Sequence, residues 1–312
     1  MTEHRRAIIA SAPTRLDFGG GWTDVPPFPE DRGGFVCNVA INRRASVTIA
    51  SGPGEHSHGD RLIRAALRCA QVDDVDIRID SDFPVGAGLG GSSAAGVALA
   101  AGLHAWRNEA VDAAALAEWS RSVEVNELAI AGGRQDHYAA AFGGALALTF
   151  TETTQVDHIA LSRSATRALE QQCLLAYTGE SRISSTTITA VLDAYGAREP
   201  RVVDALDAMK ALALQMPAAL ISGDIEHLAH LVDAHWLHQR SLHPAITTPR
   251  IDAIFNAATA AGAQGMKALG ASGGGCVIVF APDDRVDAVA RAIEPFAERL
   301  RWNVDDEGVT VG

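Results

Sequence analysis

The segment Pro84-Val-Gly-Ala-Gly-Leu-Gly-Gly-Ser-Ser-Ala-Ala95 decides how the rest of this chain is read. Its glycines let backbone amides approach a ligand with no Cβ in the way. Ser92 and Ser93 follow at the start of a helix-like run, where unpaired amides and the positive end of the helix dipole favour an anion. These residues describe a phosphate cradle with hydroxyls placed to touch a metal ion. They also suit a close-packed helix cap that holds no ligand. A Walker loop is excluded, because it needs GxxxxGK[ST] and the chain has no Gly-Lys pair. Gly86-x-Gly88-x-x-Gly91 satisfies the dinucleotide fingerprint. Pro84 stands between strand and loop, however, and residues 106–112, where an acid-ended strand belongs, lie between two helices.

Upstream of the loop, 75–79 alternates as Val-Asp-Ile-Arg-Ile, the pattern of a half-buried strand. Residues 7–10, 35–41 and 45–50 also read as strands, with Arg43 and Arg44 as a solvated turn between the last two. Downstream, 92–106 is almost all Ala, Val, Leu and Gly, a helix buried on nearly all sides. A second helix is expected near 111–128 and a strand at 143–150. The polar stretch 151–157 marks a candidate junction, dividing the chain into lobes 1–155 and 156–312. Beyond it the pattern predicts a strand at 174–177, several helices between 184 and 261, and a strand–glycine loop–strand at 267–280. A final helix is expected over 284–300, and Pro217 is expected to interrupt or end a helix over 202–216. Alternating strands and helices in both halves indicate a two-lobed α/β or α+β protein. Gly270-Ala-Ser-Gly-Gly274 matches the GxSxG nucleophile elbow. An elbow must turn into a helix, whereas Cys276-Val-Ile-Val-Phe280 has a strand pattern.

The formal net charge of −12 over 312 residues argues against nucleic acid. It also repels anionic substrates at long range, so a phosphorylated ligand needs a local basic pocket or a bound cation. Cys37, Cys69, Cys173 and Cys276 form no CxxC pair and sit in apolar stretches, so buried free thiols are expected. No stretch approaches the roughly 20 apolar residues of a membrane span, and the start lacks a signal-peptide core. A cytoplasmic protein without membrane or nucleic-acid partners is the expectation. His227, His230, His235, His238 and His243 lack a third ligand for zinc and read as helix-surface or cleft contacts.

Two further motifs join the loop. Ala12-Pro-Thr-Arg-Leu-Asp-Phe-Gly-Gly-Gly-Trp-Thr-Asp24 precedes it, and Lys267-Ala-Leu-Gly-Ala-Ser-Gly-Gly-Gly-Cys276 follows it. In this order, and across nearly the whole chain, the three resemble the motifs of the galactokinase, homoserine kinase, mevalonate kinase and phosphomevalonate kinase superfamily, the GHMP kinases. Gly133-Arg-Gln-Asp-His-Tyr-Ala-Ala-Ala-Phe-Gly-Gly144, Tyr177-Thr-Gly-Glu-Ser-Arg182 and His235-Trp-Leu-His-Gln-Arg-Ser-Leu-His-Pro244 resemble D-glycero-D-manno-heptose 7-phosphate 1-kinases. Gly21-Trp-Thr-Asp-Val-Pro-Pro27 is instead similar to L-fucokinase kinase domains.

The resemblance implies an α/β (α+β two-lobed) GHMP kinase fold, with a ribosomal-S5-like amino-terminal lobe and a ferredoxin-like carboxy-terminal lobe. It implies ATP and Mg2+ as partners, with Pro84, Gly86, Ala87, Gly88, Leu89, Gly90, Gly91, Ser92 and Ser93 around the nucleotide. The metal falls to Ser92 and Glu124, with Glu127 competing. Asp136 takes the place of the catalytic base or orienting carboxylate, and Arg15 stabilises charge near the transferring phosphoryl. Asp136 also suits a helix cap and Arg15 a surface ion pair. For the sugar, Asp24 offers a carboxylate to two hydroxyls and Trp22 an indole face, beside Gly20 and Gly21; Trp22 equally suits a core. Arg182 and Arg240 are placed to meet a distal phosphate. Gly270, Gly273, Gly274 and Gly275 form the carboxy-terminal glycine loop. Gln239 departs from the heptokinase pattern, which has lysine there, and weakens the inference of a phosphorylated substrate. The implied reaction is phosphorylation of an anomeric hydroxyl, first of D-glycero-D-manno-heptose 7-phosphate. An unphosphorylated sugar or cyclitol such as L-fucose, and a sensor without turnover, stay open.

Overall fold

A computed structural model of the chain describes residues 6–54, 59–130, 132–180 and 185–312. Strands β1 (Ile8–Gly19) and β2 (Gly34–Ser51) pair antiparallel along most of their length, joined through the short helix α1 (Phe28–Arg32). The break expected at Arg43-Arg44 is a bulge inside β2. Pro13 faces Arg44, while the next residue, Thr14, faces Ile41. A proline has no N–H for the ladder, and the bulge removes the demand for one. Thr14 Oγ1 donates to the Arg43 carbonyl at 2.8 Å. Arg44 is no solvated turn: its guanidinium pairs with Asp305 and donates to the carbonyls of Ser11 and Gly308.

Helix α2 (Arg61–Ala70) precedes β3 (Val75–Ser81), which pairs with the second half of β2. The chain then passes through the glycine loop, α3 (Gly91–Trp106), α4 (Ala113–Ser122), a π-helical turn (Val123–Glu127) and α5 (Gln135–Phe142). It returns as β4 (Ala145–Phe150), antiparallel to the first half of β2. β5 (Thr154–Ile159) extends this sheet past residue 155, so the polar stretch 151–157 is largely an edge strand. Helix α3 packs across β1 and β2 and is buried on nearly every face, as its all-round apolar sequence predicts.

The second half runs α6 (Arg163–Gln172), β6 (Cys173–Tyr177), α7 (Ser185–Gly196), α8 (Pro200–Ala213), α9 (Met216–Ser222), α10 (Ile225–Ser241) and α11 (Pro249–Ala261). β7 (Gly265–Ala268), β8 (Cys276–Phe280), α12 (Val286–Ile293), β9 (Glu298–Leu300) and β10 (Thr310–Val311) complete it. The second sheet has the order β7-β8-β6-β9, all antiparallel, the split βαβ arrangement expected of a ferredoxin-like lobe. β10 returns to the edge of β1. Pro217 lies in the first turn of α9, where a missing N–H costs nothing, so it starts a helix after α8 has ended. The expected last helix stops at Ile293, ahead of Pro295, and β9 follows.

Alternation along β1 sends Leu16 and Phe18 into a core shared with Leu228, Ile278 and Phe280 of the second half. Arg15 and Asp17 point the other way, and that face carries the site. Cys37, Cys173 and Cys276 are buried as expected, but Cys69 is exposed, on the solvent side of amphipathic α2. Among the described residues no helix is long and apolar enough to cross a membrane.

Candidate active site

The glycine loop has the form its composition predicts. Gly86, Gly88 and Gly90 take φ of 72°, 73° and 76°, while Ala87 and Leu89 between them stay on the ordinary side. Such alternation turns successive amides toward one concavity, a backbone nest for an anion. It leads into the first turn of α3, which has no side-chain cap. Gly90 is held for a second reason: a Cβ there would lie 3.0 Å from Asp136 Cγ.

The second glycine loop does different work. A Cβ on Gly270 would lie 3.2 Å from Gly88 Cα, and one on Gly275 would lie 2.8 Å from the Ala87 carbonyl. Cys276 N–H donates to that carbonyl at 2.7 Å, Gly275 N–H to Glu180 O at 2.7 Å, and Gly273 N–H to Ile246 O at 2.8 Å. Gly274 passes close to the Glu180 backbone. This loop braces the first from behind. Gln239 belongs to the brace: it is buried and donates to the Gly270 carbonyl at 3.2 Å. The departure from lysine there therefore bears on loop packing and says nothing of a substrate phosphate.

Arg15 and Asp136 meet in front of the cradle. Arg15 Nε and Nη2 both donate to Asp136 Oδ1, at 2.8 and 2.7 Å, while Nη1 donates to the Gly88 carbonyl at 2.7 Å. The arginine is buried and Asp136 keeps 26% of its side chain exposed. Glu124, on the π-helical turn, sets Oε1 3.5 Å from Ser92 Oγ. Burial tends to raise its pKa, but the hydrogen bond and charge of His137, with the Ser92 and Ser93 hydroxyls, hold the carboxyl below its usual range. Glu127 turns to the surface and pairs with Arg68. A carboxylate kept ionised beside a hydroxyl and a phosphate nest is a donor set that suits Mg2+, which takes few protein oxygens and keeps waters.

At the far end, Asp24 is buried, with Oδ2 accepting from Gln135 N–H at 3.0 Å. Burial, against the Gln135 amide and with the charges of Asp136 and Asp17, pushes its pKa to about 6. Trp22 is both core and site: it packs with Phe28 and Trp236, lines the cavity, and takes a left-handed φ of 81° in the turn opened by Gly20. Gly20 N–H donates to His235 Nε2 at 2.9 Å. His235 is fully buried, and burial holds its imidazole well below its usual range, so it accepts that bond as the neutral ring. Gly21 leaves room for Asp17, since a Cβ there would lie 2.3 Å from Asp17 Oδ2. That oxygen accepts from Lys267 Nζ at 3.0 Å in a pair with both members buried. Arg240 lies exposed on α10 and faces Asp252 at 3.5 Å, outside the cavity lining. Arg182 lies outside the described residues.

Two hollows meet here. One, of about 250 Å³, is lined by Asp17, Trp22, Asp24, Gln135 and Ile188. The other, of about 480 Å³, runs behind the glycine loop past Leu62, Ile79, Phe83 and Val85. Gly88, Gly90, Ser93, Glu124 and Asp136 border both. An apolar slot large enough for a nucleobase thus opens on one side of the cradle, and a carboxylate-lined polar chamber on the other. The sequence leaves the slot unassigned and gives no role to Asp17, Lys267 or His137, and His235, expected on a helix surface or in the cleft, is instead buried against the Gly20 amide. For Asp17 a signal existed, since it stands two residues from Arg15 on the same strand face.

Comparison with known proteins agrees with this geometry. Residues 60–144 match the GHMP kinases N terminal domain and residues 208–298 the GHMP kinases C terminal, together more than half of the chain. The D-glycero-alpha-D-manno-heptose 7-phosphate kinase of Campylobacter jejuni is 25% identical over 88% of this chain and 89% of its own length. The bifunctional fucokinase/GDP-fucose pyrophosphorylase of Arabidopsis thaliana is 26% identical over 94% of this chain, which spans about a third (32%) of that protein. The crystal structure of a D-glycero-D-manno-heptose 1-phosphate kinase from Bacteriodes thetaiotaomicron superposes with a TM-score of 0.80 at 23% identity, covering 98% of both chains. With the phosphate nest, the paired glycine loops and both domain models in register, the chain belongs to the GHMP kinase family.

Proposed function

We propose that this protein is an ATP- and Mg2+-dependent kinase acting on the anomeric hydroxyl of a sugar, with D-glycero-D-manno-heptose 7-phosphate the first substrate to test. The observation that carries the reading is the position of Asp136, at the border between the apolar slot and the carboxylate-lined chamber. The nest at Gly86–Ser93 suits the β- and γ-phosphates, and Leu62, Ile79 and Phe83 suit the base. Ser92 and Glu124 would hold Mg2+, which neutralises phosphate charge when bound. Arg15 grips a single oxygen of Asp136, which leaves Oδ2 for the acceptor hydroxyl. As that hydroxyl oxygen bonds to the γ-phosphorus, the bond to the β,γ-bridging oxygen breaks and ADP departs. The hydroxyl proton passes to Asp136 or to solvent through it, and little base strength is required, because the transition state is loose.

The heptose reading rests on the Campylobacter jejuni relative and the motifs shared with its class. A second reading, an unphosphorylated sugar such as L-fucose, draws on the fucokinase relatives and on the chamber itself. Among the described residues its lining carries Asp17, Asp24, Glu124 and Asp136, and its cation, Arg15, is already committed to Asp136. The test is ADP release with Mg2+ and ATP over D-glycero-D-manno-heptose 7-phosphate, L-fucose, D-mannose, D-galactose and buffer alone. Asp136→Asn is expected to lower turnover by roughly 10²–10⁴-fold. Turnover confined to the heptose phosphate supports the first reading, and turnover of a plain sugar the second. No turnover of any sugar, with ATP still bound, overturns both substrate readings and favours a sensor without turnover.

A further inference from the structure

Behind the cradle a buried polar chain runs back from Glu124 and Ser93 to His137 and Ser120, which phosphoryl transfer, as derived above, does not use. His137 follows Asp136 on α5 and is 2% exposed. Its Nε2 lies 2.9 Å from Glu124 Oε2 and 3.4 Å from Ser93 Oγ, and its Nδ1 lies 3.0 Å from Ser120 Oγ. Both ring nitrogens are therefore taken, by groups from three helical segments. Space for the chain is built in: a Cβ on Gly96 of α3 would stand 2.3 Å from Ser120 Oγ. Glu124 needs such a support. It sits on a π-helical turn, whose widened backbone leaves the ordinary helical register, and a glutamate side chain has several rotamers to choose from.

We propose that His137 is a positioning residue for the metal. It holds one oxygen of Glu124 by hydrogen bond, so that the other, Oε1, is presented toward Ser92 at the nucleotide cradle. The inference rests on the assignment of Glu124 as a metal ligand in the kinase reading. Groups that orient a ligating carboxylate typically matter by about 10–100-fold in metal affinity.

Mn2+ with a non-hydrolysable ATP analogue, titrated by electron paramagnetic resonance, measures this without turnover. His137→Gln and His137→Asn are the informative pair, because both put a buried amide where the ring was. The longer glutamine reaches the Nε2 position and can still donate to Glu124. Asparagine reaches only the Nδ1 position and keeps Ser120 alone. We expect His137→Gln to bind Mn2+ near the wild-type affinity and His137→Asn to bind it about 10–100-fold more weakly. Analogue affinity in the presence of EDTA should be the same for both. Equal Mn2+ affinity in the two variants, with Glu124→Ala weakened, overturns the role of His137 alone. Unchanged Mn2+ affinity in Glu124→Ala overturns the metal assignment and the inference with it. A residue with only a structural role would move the melting temperature and leave the Mn2+ titration in place.

Discussion

Strand β1 supplies one member to each of two ion pairs, and the two pairs do different work. Arg15 reaches Asp136 within the first half of the chain, and Asp17 receives Lys267 from β7 of the second. The first pair stands at the chamber, with Asp136 26% exposed; in the second, Lys267 and Asp17 are 0% and 3% exposed. A guanidinium is a planar fork with fixed donor directions, so Arg15 can orient Asp136, grip one oxygen and touch the Gly88 carbonyl at once. An ammonium is a point charge that loses its hydration when buried. Burial holds Lys267 below its usual pKa, while Asp17 opposes the shift. Sealing the second pair therefore brings little net stability, because the desolvation cost offsets most of the attraction. What it adds is a tie between β7 and β1, drawn from opposite halves of the chain.

That contrast gives the largest expected effect. Lys267→Met leaves the buried carboxylate of Asp17 uncompensated and should destabilise the protein by about 3–5 kcal/mol in denaturant titration. Removing both charges, with Asp17→Leu added, should recover most of that loss. If the double variant is no more stable than the single one, the uncompensated charge is not the cause and the comparison fails.

Arg15→Met tests the other pair, and the balance should reverse. Asp136 can be hydrated from the chamber, so the loss of stability should be smaller than for Lys267→Met. Turnover should fall by roughly 10²-fold, because Asp136 is then no longer held with Oδ2 turned toward the acceptor hydroxyl. Arg15→Lys should rescue little, since a single ammonium cannot serve Asp136 and the Gly88 carbonyl together. A variant that lost stability as heavily as Lys267→Met but kept its turnover would place Arg15 with the struts.

The two pairs were unequally legible in the sequence, for a physical reason. Arg15 and Asp136 lie in motifs whose local grammar is informative: a strand entering a glycine turn, and a short helix after Gly132-Gly133. The loop at Gly86–Ser93 is legible in the same way, because left-handed φ is the business of glycine and the anion is met by backbone. Lys267 reads in isolation as the polar residue of a half-buried strand. Nothing local says that it will be sealed against a residue 250 positions away. His235 is similar: of the histidines on α10 it alone accepts from Gly20 N–H, which depends on how α10 crosses β1. The short strands β5, β9 and β10 leave little trace in the sequence, because an edge strand needs few apolar residues of its own. Arg240 was over-read, since a motif shared with a family fixes a residue type but not whether its side chain turns inward.

Asp24 sharpens the comparison by being, like Asp17, a buried carboxylate, but with no cation paired to it among the described residues. It rests on the Gln135 amide, with room made by Gly133, where a Cβ would fall 1.9 Å from Oδ2. Its folded pKa of about 6 lies above the ordinary 3.8, so the folded protein holds this proton more tightly than the unfolded chain. Stability is therefore lost as the pH rises from about 4 through 6, and the deficit stays constant above that window. Asp24→Asn keeps an oxygen for the Gln135 amide and cannot ionise. It should match the wild type at pH 4 and exceed it by about 2–3 kcal/mol at pH 7.5, where the wild type carries the buried charge. The same variant should bind sugar more weakly, since an amide oxygen is a poorer acceptor for hydroxyls than a carboxylate. Equal stability of the two proteins at both pH values would show that Asp24 ionises freely. An Asp24→Asn protein that was more stable at neutral pH and still bound sugar as tightly would remove Asp24 from the substrate. The predicted combination, stability gained where binding is lost, is what separates a carboxylate kept for a ligand from the Asp17 carboxylate, which already has its cation.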